Sequence, residues 1–348
     1  MSEKSITFLS NRGAGLNADM NLLEKNLVNM INQNDFSSRF FLKNERRKNP
    51  MARQGIELAR KEFCRELANV VCADASLAKG MRFQEGVRIL LASPYDYQFK
   101  NEMNLRKRGK RGTGWKTFRR FTHVVPGSPF TARLMREGYY LENTELLEGI
   151  CLPFVWEMNV PERQKAVGEE IGFYFPAVGE KKVLALLLNR EKESRRNFLK
   201  NFDLKSFLDY LGEEWFVFTN VEELMENSYT LGAKYKNSFG YVKRIMSEQD
   251  ILYVADAMVT NNGRYASCFA SRHKPLYCLK YRGSYFEKYI KTTHPAMYLR
   301  NFRELMQADF SVEGVPEGQR EFDQLFSYPE LKCPYDAIGA LLRREEPL

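Results

Sequence analysis

Thr260-Asn261-Asn262-Gly263-Arg264 is the stretch whose residue types and spacing best suit chemistry. It follows the apolar run 257–259 and precedes a short helical pattern, after which Lys274-Pro275-Leu276-Tyr277-Cys278 opens a second apolar run. Where a strand ends and the next helix begins, free backbone N–H groups and the helix dipole attract phosphate. The same residues also suit a plain turn with an asparagine cap, so both readings stand. A second place for phosphate is Asn11-Arg12-Gly13-Ala14-Gly15 after the first apolar run. It lacks the third glycine of a dinucleotide fingerprint and the Lys-Ser/Thr of a P-loop. A third feature is the basic loop 106–120, where Lys107 and Lys110 sit among five arginines and lysines in a row broken only by Gly109. Trp115 and Phe118 interleave with further basic residues there. It reads as a solvated loop, as a contact for anionic lipid or a polyanionic acceptor, or as a nucleic-acid patch. No nucleic-acid-binding motif accompanies it, so nucleic acid is not an expected partner.

The chain around these features is that of a folded protein. It has 348 residues, 44% of them hydrophobic, enough to bury a large core and to divide into two domains. Lys and Arg total 53 against 44 Asp and Glu, a formal +9 that favours acidic partners. No apolar run approaches the roughly 20 residues that a membrane helix needs. Residues 1–10 run straight into a strand without a signal-peptide core, so a cytoplasmic location is expected, with peripheral contact at the inner membrane face an option. Cys64, Cys72, Cys151, Cys268, Cys278 and Cys333 lack metal-ligand spacing and read as buried free thiols. There is no Asp-x-Asp motif, and neither a metal nor a cofactor is implied.

Apolar runs of strand length alternate with helical patterns, the grammar of a parallel sheet covered on both faces. Strands are expected at 6–10, 39–43, 69–73, 88–92, 122–126 and 149–153, then at 182–188, 215–219, 240–243, 257–260 and 276–279. An amphipathic helix carries Leu22, Leu23, Leu27, Met30 and Ile31; another covers 55–67. Ser128 caps a third, with Pro129 at its first position. Residues 202–211 form a helix with Phe207, Leu208 and Leu211 as its core stripe. His123 reads as a core residue on its strand. The expected architecture is α/β and GT-B-like, with two Rossmann-like domains facing a cleft. Residues 1–160 would form an acceptor-side domain and 178–312 a nucleotide-donor domain, with a junction in 161–181. A helical tail, 313–348, would pack back across the first.

These residues resemble a family. Asp256-Ala257-Met258-Val259, the polar turn after it and Lys274-Pro275-Leu276-Tyr277 are similar to a segment of the CDP-glycerol and CDP-ribitol glycerophosphotransferases of teichoic-acid and capsule synthesis. Residues 202–218 and 67–107 are looser echoes, so the likeness extends over about residues 60–310. The resemblance implies a two-domain GT-B-like enzyme that passes a polyol phosphate from a CDP-linked donor to an anionic polymer or lipid-linked acceptor. It implies donor phosphate binding by Thr260, Asn261, Asn262, Gly263 and Arg264, with Arg282 at the base or ribose. It further implies acceptor binding by Arg12, Gly13, Gly15, Lys107 and Lys110.

The chain departs from that family at its histidines. The family's Trp-His is replaced by Leu91-Ala92-Ser93-Pro94-Tyr95-Asp96-Tyr97. Its Arg-Leu-His-Pro becomes Val217-Phe218-Thr219-Asn220-Val221, and its Thr-Asp-Tyr-Ser-Ser becomes the Thr260–Arg264 stretch. Only His123, His273 and His294 remain in the whole chain, and none stands at a family position. A positioned base contributes about 10²–10⁴-fold to such a transfer. Asp96, following the 88–92 strand, is the replacement that the sequence offers. Three functions are therefore expected alternatives: CDP-polyol phosphate transfer, a GT-B glycosyltransferase using a nucleotide sugar, and a non-catalytic family member that binds ligand or scaffolds a partner.

Overall fold

The computed structural model describes residues 4–10, 18–30, 36–42, 69–73, 83, 85–92, 99, 118–139, 143–189, 192–224, 231–232, 235, 237–242, 247–281, 283–311 and 314–343. The chain divides into two compact units. The first is Met1–Ser93, Asn101–Trp156 and Ser327–Leu348; the second is Pro94–Lys100 and Glu157–Phe326.

The first unit holds six parallel strands in the order β2-β1-β3-β4-β5-β6. These are β1 (Lys4–Ser10), β2 (Phe36–Leu42), β3 (Asn69–Cys72), β4 (Arg88–Leu91), β5 (His123–Val125) and β6 (Glu145–Leu146). Val70, Val71, Ile89, Leu90, Val124 and Val125 are buried, as continuous apolar strands covered on both faces should be. Helix α1 (Ala18–Met30) buries Leu23 and Leu27 of the expected stripe, together with Met20, while Leu22 is half-buried; the Met30 side chain and Ile31 lie outside the described residues. Ser128 accepts from the Thr131 N–H at 3.2 Å at the start of α2 (Pro129–Tyr139). The expected strand at 149–153 does not form: only Ile150 bridges, to Lys332. Gly149 turns at φ +81°, and Pro153 begins α3 (Pro153–Met158), so β6 falls earlier instead. Buried Asp19 caps α3 by accepting the Phe154 N–H at 2.9 Å.

The second unit opens with α4 (Pro161–Tyr174) and has its own six-stranded parallel sheet, β12-β11-β10-β7-β8-β9. Its strands are β7 (Lys182–Leu187), β8 (Trp215–Thr219), β9 (Phe239–Tyr241), β10 (Ala257–Thr260), β11 (Leu276–Leu279) and β12 (Tyr298–Leu299). Counted within the unit, the order is 3-2-1-4-5-6, that of a dinucleotide-binding α/β domain. The order reverses between β7 and β10, where such sheets bind ligands outside the strands' carboxyl ends. The helices are α5 (Lys192–Leu199), α6 (Leu204–Leu211), α7 (Asp250–Val254), α8 (Gly263–Phe269), α9 (Tyr285–Thr293), α10 (Phe302–Leu305) and α11 (Gln319–Phe326). Helix α6 is capped by Asp203, whose carboxylate accepts from the Lys205 and Ser206 N–H groups, and buries Phe207, Leu208 and Leu211. Those three pack with Leu184, Leu186, Trp215, Val217 and Val259 into one core face. Two-residue β12 lacks a sequence signal of its own; it forms because Cys278 and Leu279 present an unfilled edge to Tyr298 and Leu299. Of the tail helices, α11 belongs to the second unit, while α12 (Pro334–Arg343) sets Gly339 against Leu27 of α1 in the first.

Candidate functional site

The site is built at the carboxyl end of β10. Thr260 is fully buried, and its hydroxyl donates to the Leu187 carbonyl at 2.6 Å while accepting from the Asn262 N–H at 3.0 Å. Asn261 Oδ1 accepts from the Asn189 N–H at 2.6 Å, just beyond the end of β7. Asn262 has extended backbone and caps α8, accepting from the Arg264 N–H at 3.0 Å. Gly263 follows because nothing larger fits: a Cβ there would stand 2.8 Å from the Phe286 ring and 2.9 Å from that of Phe99. Arg264, which a helix's first turn would ordinarily expose, is 8% exposed.

The same device recurs on the other flank of β7. The Thr219 hydroxyl donates to the Leu186 carbonyl at 2.9 Å and accepts from the Val221 N–H. Asn220 accepts from the Leu188 N–H at 2.9 Å and donates to its carbonyl at 2.8 Å. Alternate residues of a strand turn their backbone groups to opposite neighbours. Leu186 and Leu188 therefore meet the Thr-Asn pair of β8, and Leu187 and Asn189 meet that of β10. Two Thr-Asn pairs thus carry the sheet's ladder past the end of its backbone pairing and fix the turn after β7.

Arg195, in α5, closes this arrangement. It is 8% exposed, and donates through Nε to the Asn189 carbonyl at 3.0 Å and through Nη2 to the Asn220 carbonyl at 3.1 Å. Neither Arg195 nor the Thr219-Asn220 pair stands out in the sequence by its local pattern. The signal that could have found the pair is repetition: Thr-Asn ends both the 215–220 and the 257–261 apolar runs.

The sequence-expected site residues Thr260, Asn261, Asn262, Gly263 and Arg264 are thus brought together in one turn. Asp96, Arg12, Gly13, Gly15, Lys107, Lys110 and Arg282 lie outside the described residues. Phe99, three residues after Asp96, is buried in the second unit among Phe286, Tyr289 and Phe326.

All three histidines stand at the opposite, amino ends of strands. His123 is the first residue of β5, half-enclosed, with Nδ1 2.8 Å from the Thr122 hydroxyl and Nε2 3.4 Å from Glu145. His273 precedes β11 in a left-handed turn (φ +52°), 3.3 Å from Asp323. His294 ends α9, with Nδ1 3.1 Å from the Gly318 carbonyl and its ring edge-on to Phe322. No imidazole therefore sits at a carboxyl edge of either sheet. Burial pushes the Cys151 thiol up to about 12 and raises that of Cys278 as well. Cys72, Cys151, Cys268 and Cys278 are buried free thiols. Among the described residues, no group of three His, Cys, Asp or Glu is placed to hold a metal ion. No helix among them is long and apolar enough to cross a membrane.

No protein-family model matches the chain, and no curated protein matches it by sequence. Solved structures do match by shape. The wall teichoic acid polymerase TagF is similar at a TM-score of 0.65 and 15% identity, over 98% of this chain and 89% of that one. A variant of it soaked with CDPG superposes at a TM-score of 0.66 and 15% identity, with the same coverage. The UDP-GlcNAc 2-epimerase of Methanocaldococcus jannaschii is similar at a TM-score of 0.53 and 11% identity, over 87% of this chain and 90% of that one. The fold is accordingly the α/β, GT-B type, with two parallel Rossmann-like sheets.

Proposed function

We propose that this chain binds a nucleotide-diphosphate donor at the carboxyl edge of its second sheet and is a transferase of GT-B type. The observation that carries the reading is the turn Thr260–Arg264. It stands at the point where strand order reverses, is fixed by the Asn261–Asn189 and Thr260–Leu187 bonds, and opens a capped helix toward the edge. In this reading the N-terminal turn of α8 and Arg264 receive the donor's phosphates, and Arg282 lies beside its base or ribose. A CDP-linked polyol phosphate is the favoured donor, supported by the shape likeness to TagF over nearly the whole chain.

Asp96 is the proposed base. The support for it is Phe99, three residues further along the chain, which packs against Gly263 at the start of α8. Arg12, Gly13, Gly15, Lys107 and Lys110 are proposed for an anionic polymer or lipid-linked acceptor, with peripheral attraction to an anionic membrane surface. A nucleotide-sugar glycosyltransferase is the second reading. The position of all three histidines at amino ends favours it, since a carboxylate base serves glycosyl transfer without an imidazole.

The test is product release. Incubated with CDP-glycerol, CDP-ribitol or UDP-sugars and an anionic polyol-phosphate acceptor, the protein should release CMP from a cytidine donor. Asp96→Asn should slow that release by about 10²-fold or more. Release of UDP instead would select the second reading. No release from any donor, despite nucleotide binding, would leave a ligand-binding protein without transfer activity.

A further inference from the structure

The geometry points to Arg195 as an anion-binding residue, which holds a phosphate group at the carboxyl end of β7 through Nη1, the edge that no described residue engages. Buried cations in folded proteins are ordinarily matched by a carboxylate, because a charge removed from water is costly to leave with dipoles alone. Arg195 departs from that rule. It is 8% exposed, and among the described residues its hydrogen-bond partners are two backbone carbonyls, those of Asn189 and Asn220. Among the described residues no carboxylate lies within ion-pair distance of its guanidinium, and Nη1 has no protein acceptor.

The two carbonyls are themselves held. Asn189 is fixed through its N–H by Asn261, and Asn220 is fixed by its two bonds to Leu188. The guanidinium plane is therefore set before any ligand arrives, and little side-chain freedom is lost on binding. A planar fork with two donors engaged and one edge that no described residue engages suits a tetrahedral oxyanion. A purely structural role would need only the two hydrogen bonds, which a neutral amide could supply in part without a buried charge. Arg195 also lies at the reversal of strand order, one residue's width from the Thr260–Asn261 turn: the Asn189 N–H faces Asn261 and the Asn189 carbonyl faces Arg195. The identification of the anion as a donor phosphate rests on the function proposed above; the anion site does not.

The experiment titrates inorganic pyrophosphate, CDP, UDP and GDP into the full-length protein by calorimetry at constant ionic strength, for wild type, Arg195→Lys and Arg195→Gln. Melting curves report whether each variant folds. Wild type should bind pyrophosphate, and both folded variants should bind it about tenfold or more weakly, Lys lacking the fork and Gln the charge. Undiminished binding by a folded variant would overturn the assignment, while selective nucleotide binding in the same titrations would leave the donor reading intact. Conversely, pyrophosphate binding that depends on Arg195 without preference for any nucleotide would uphold the anion site and remove the donor reading. If neither variant folds, the wild-type melting temperature decides: a rise with millimolar pyrophosphate over matched chloride supports the site. No rise overturns it.

Discussion

Asn261 and Asn189, 72 residues apart, are joined by a 2.6 Å hydrogen bond from the Asn189 backbone N–H to the Asn261 side-chain oxygen. The bond replaces the ladder partner that Asn189 would have had if β10 ran one residue further. It locks the turn after β7 to the turn before α8, the two turns that flank the reversal of strand order.

Asn261→Ala leaves a part-buried N–H without its acceptor, and should lower stability by about 1–3 kcal/mol. Asn261→Asp retains an acceptor and should cost less in stability, but it sets a carboxylate beside the proposed phosphate site and should weaken nucleotide binding. Chemical denaturation and ligand titration of the two variants separate these effects. Equal stability of Asn261→Ala and wild type would mean that the tie to Asn189 carries no weight.

Gly263→Ala should destabilise by about 1–3 kcal/mol, the usual cost of overpacking. The added methyl would meet the rings of Phe286 and Phe99, both buried and in mutual contact at 5.1 Å. Phe99→Leu in the same chain should recover part of that loss by making room. Urea melts of the single and double variants measure it, and additive effects would contradict the shared contact.

Asp323 should give the protein a pH-dependent stability. Its carboxyl is raised to about 8 by burial, and the neighbouring Gln319 amide opposes that rise. The folded chain therefore keeps a proton that the unfolded chain releases above about pH 4. Stability should fall as pH rises from about 4 to about 8, then level off. Asp323→Asn should abolish most of that slope and be the more stable form at pH 8, by roughly 2–5 kcal/mol. His273, 3.3 Å from the carboxylate and largely exposed, faces the same group, so His273→Ala is the companion control. Parallel wild-type and Asp323→Asn stability profiles would contradict the shift.

Much of the second unit was legible in the chain because its strands are buried on both faces. Residues 183–187, 215–218, 257–259 and 276–279 are unbroken apolar runs, and strands β7, β8, β10 and β11 fall there. The cap at Asn262 was legible too, since an asparagine before a short helix has a local signature. What local pattern could not carry is pairing at a distance: the bonds from Asn261 to Asn189, from Asn220 to Leu188 and from Arg195 to both turns each join separate elements. The strand expected at 149–153 failed for a related reason. Its apolar content serves the packing of Ile150, Cys151 and Leu152 around the start of α3, not a ladder. The burial of Arg264 likewise depends on what surrounds α8, which its own sequence does not state.

The most direct test of the central claim is a thermal-shift panel of CDP-glycerol, CDP, CMP, UDP and GDP on the wild-type protein. A ligand at 100 times its dissociation constant should add about 2.7 kcal/mol of stability. The account predicts stabilisation by nucleoside diphosphates, greatest for the cytidine compounds and reduced in Arg264→Ala. A panel in which no nucleotide raises the melting temperature above that of an ionic-strength-matched control would contradict it.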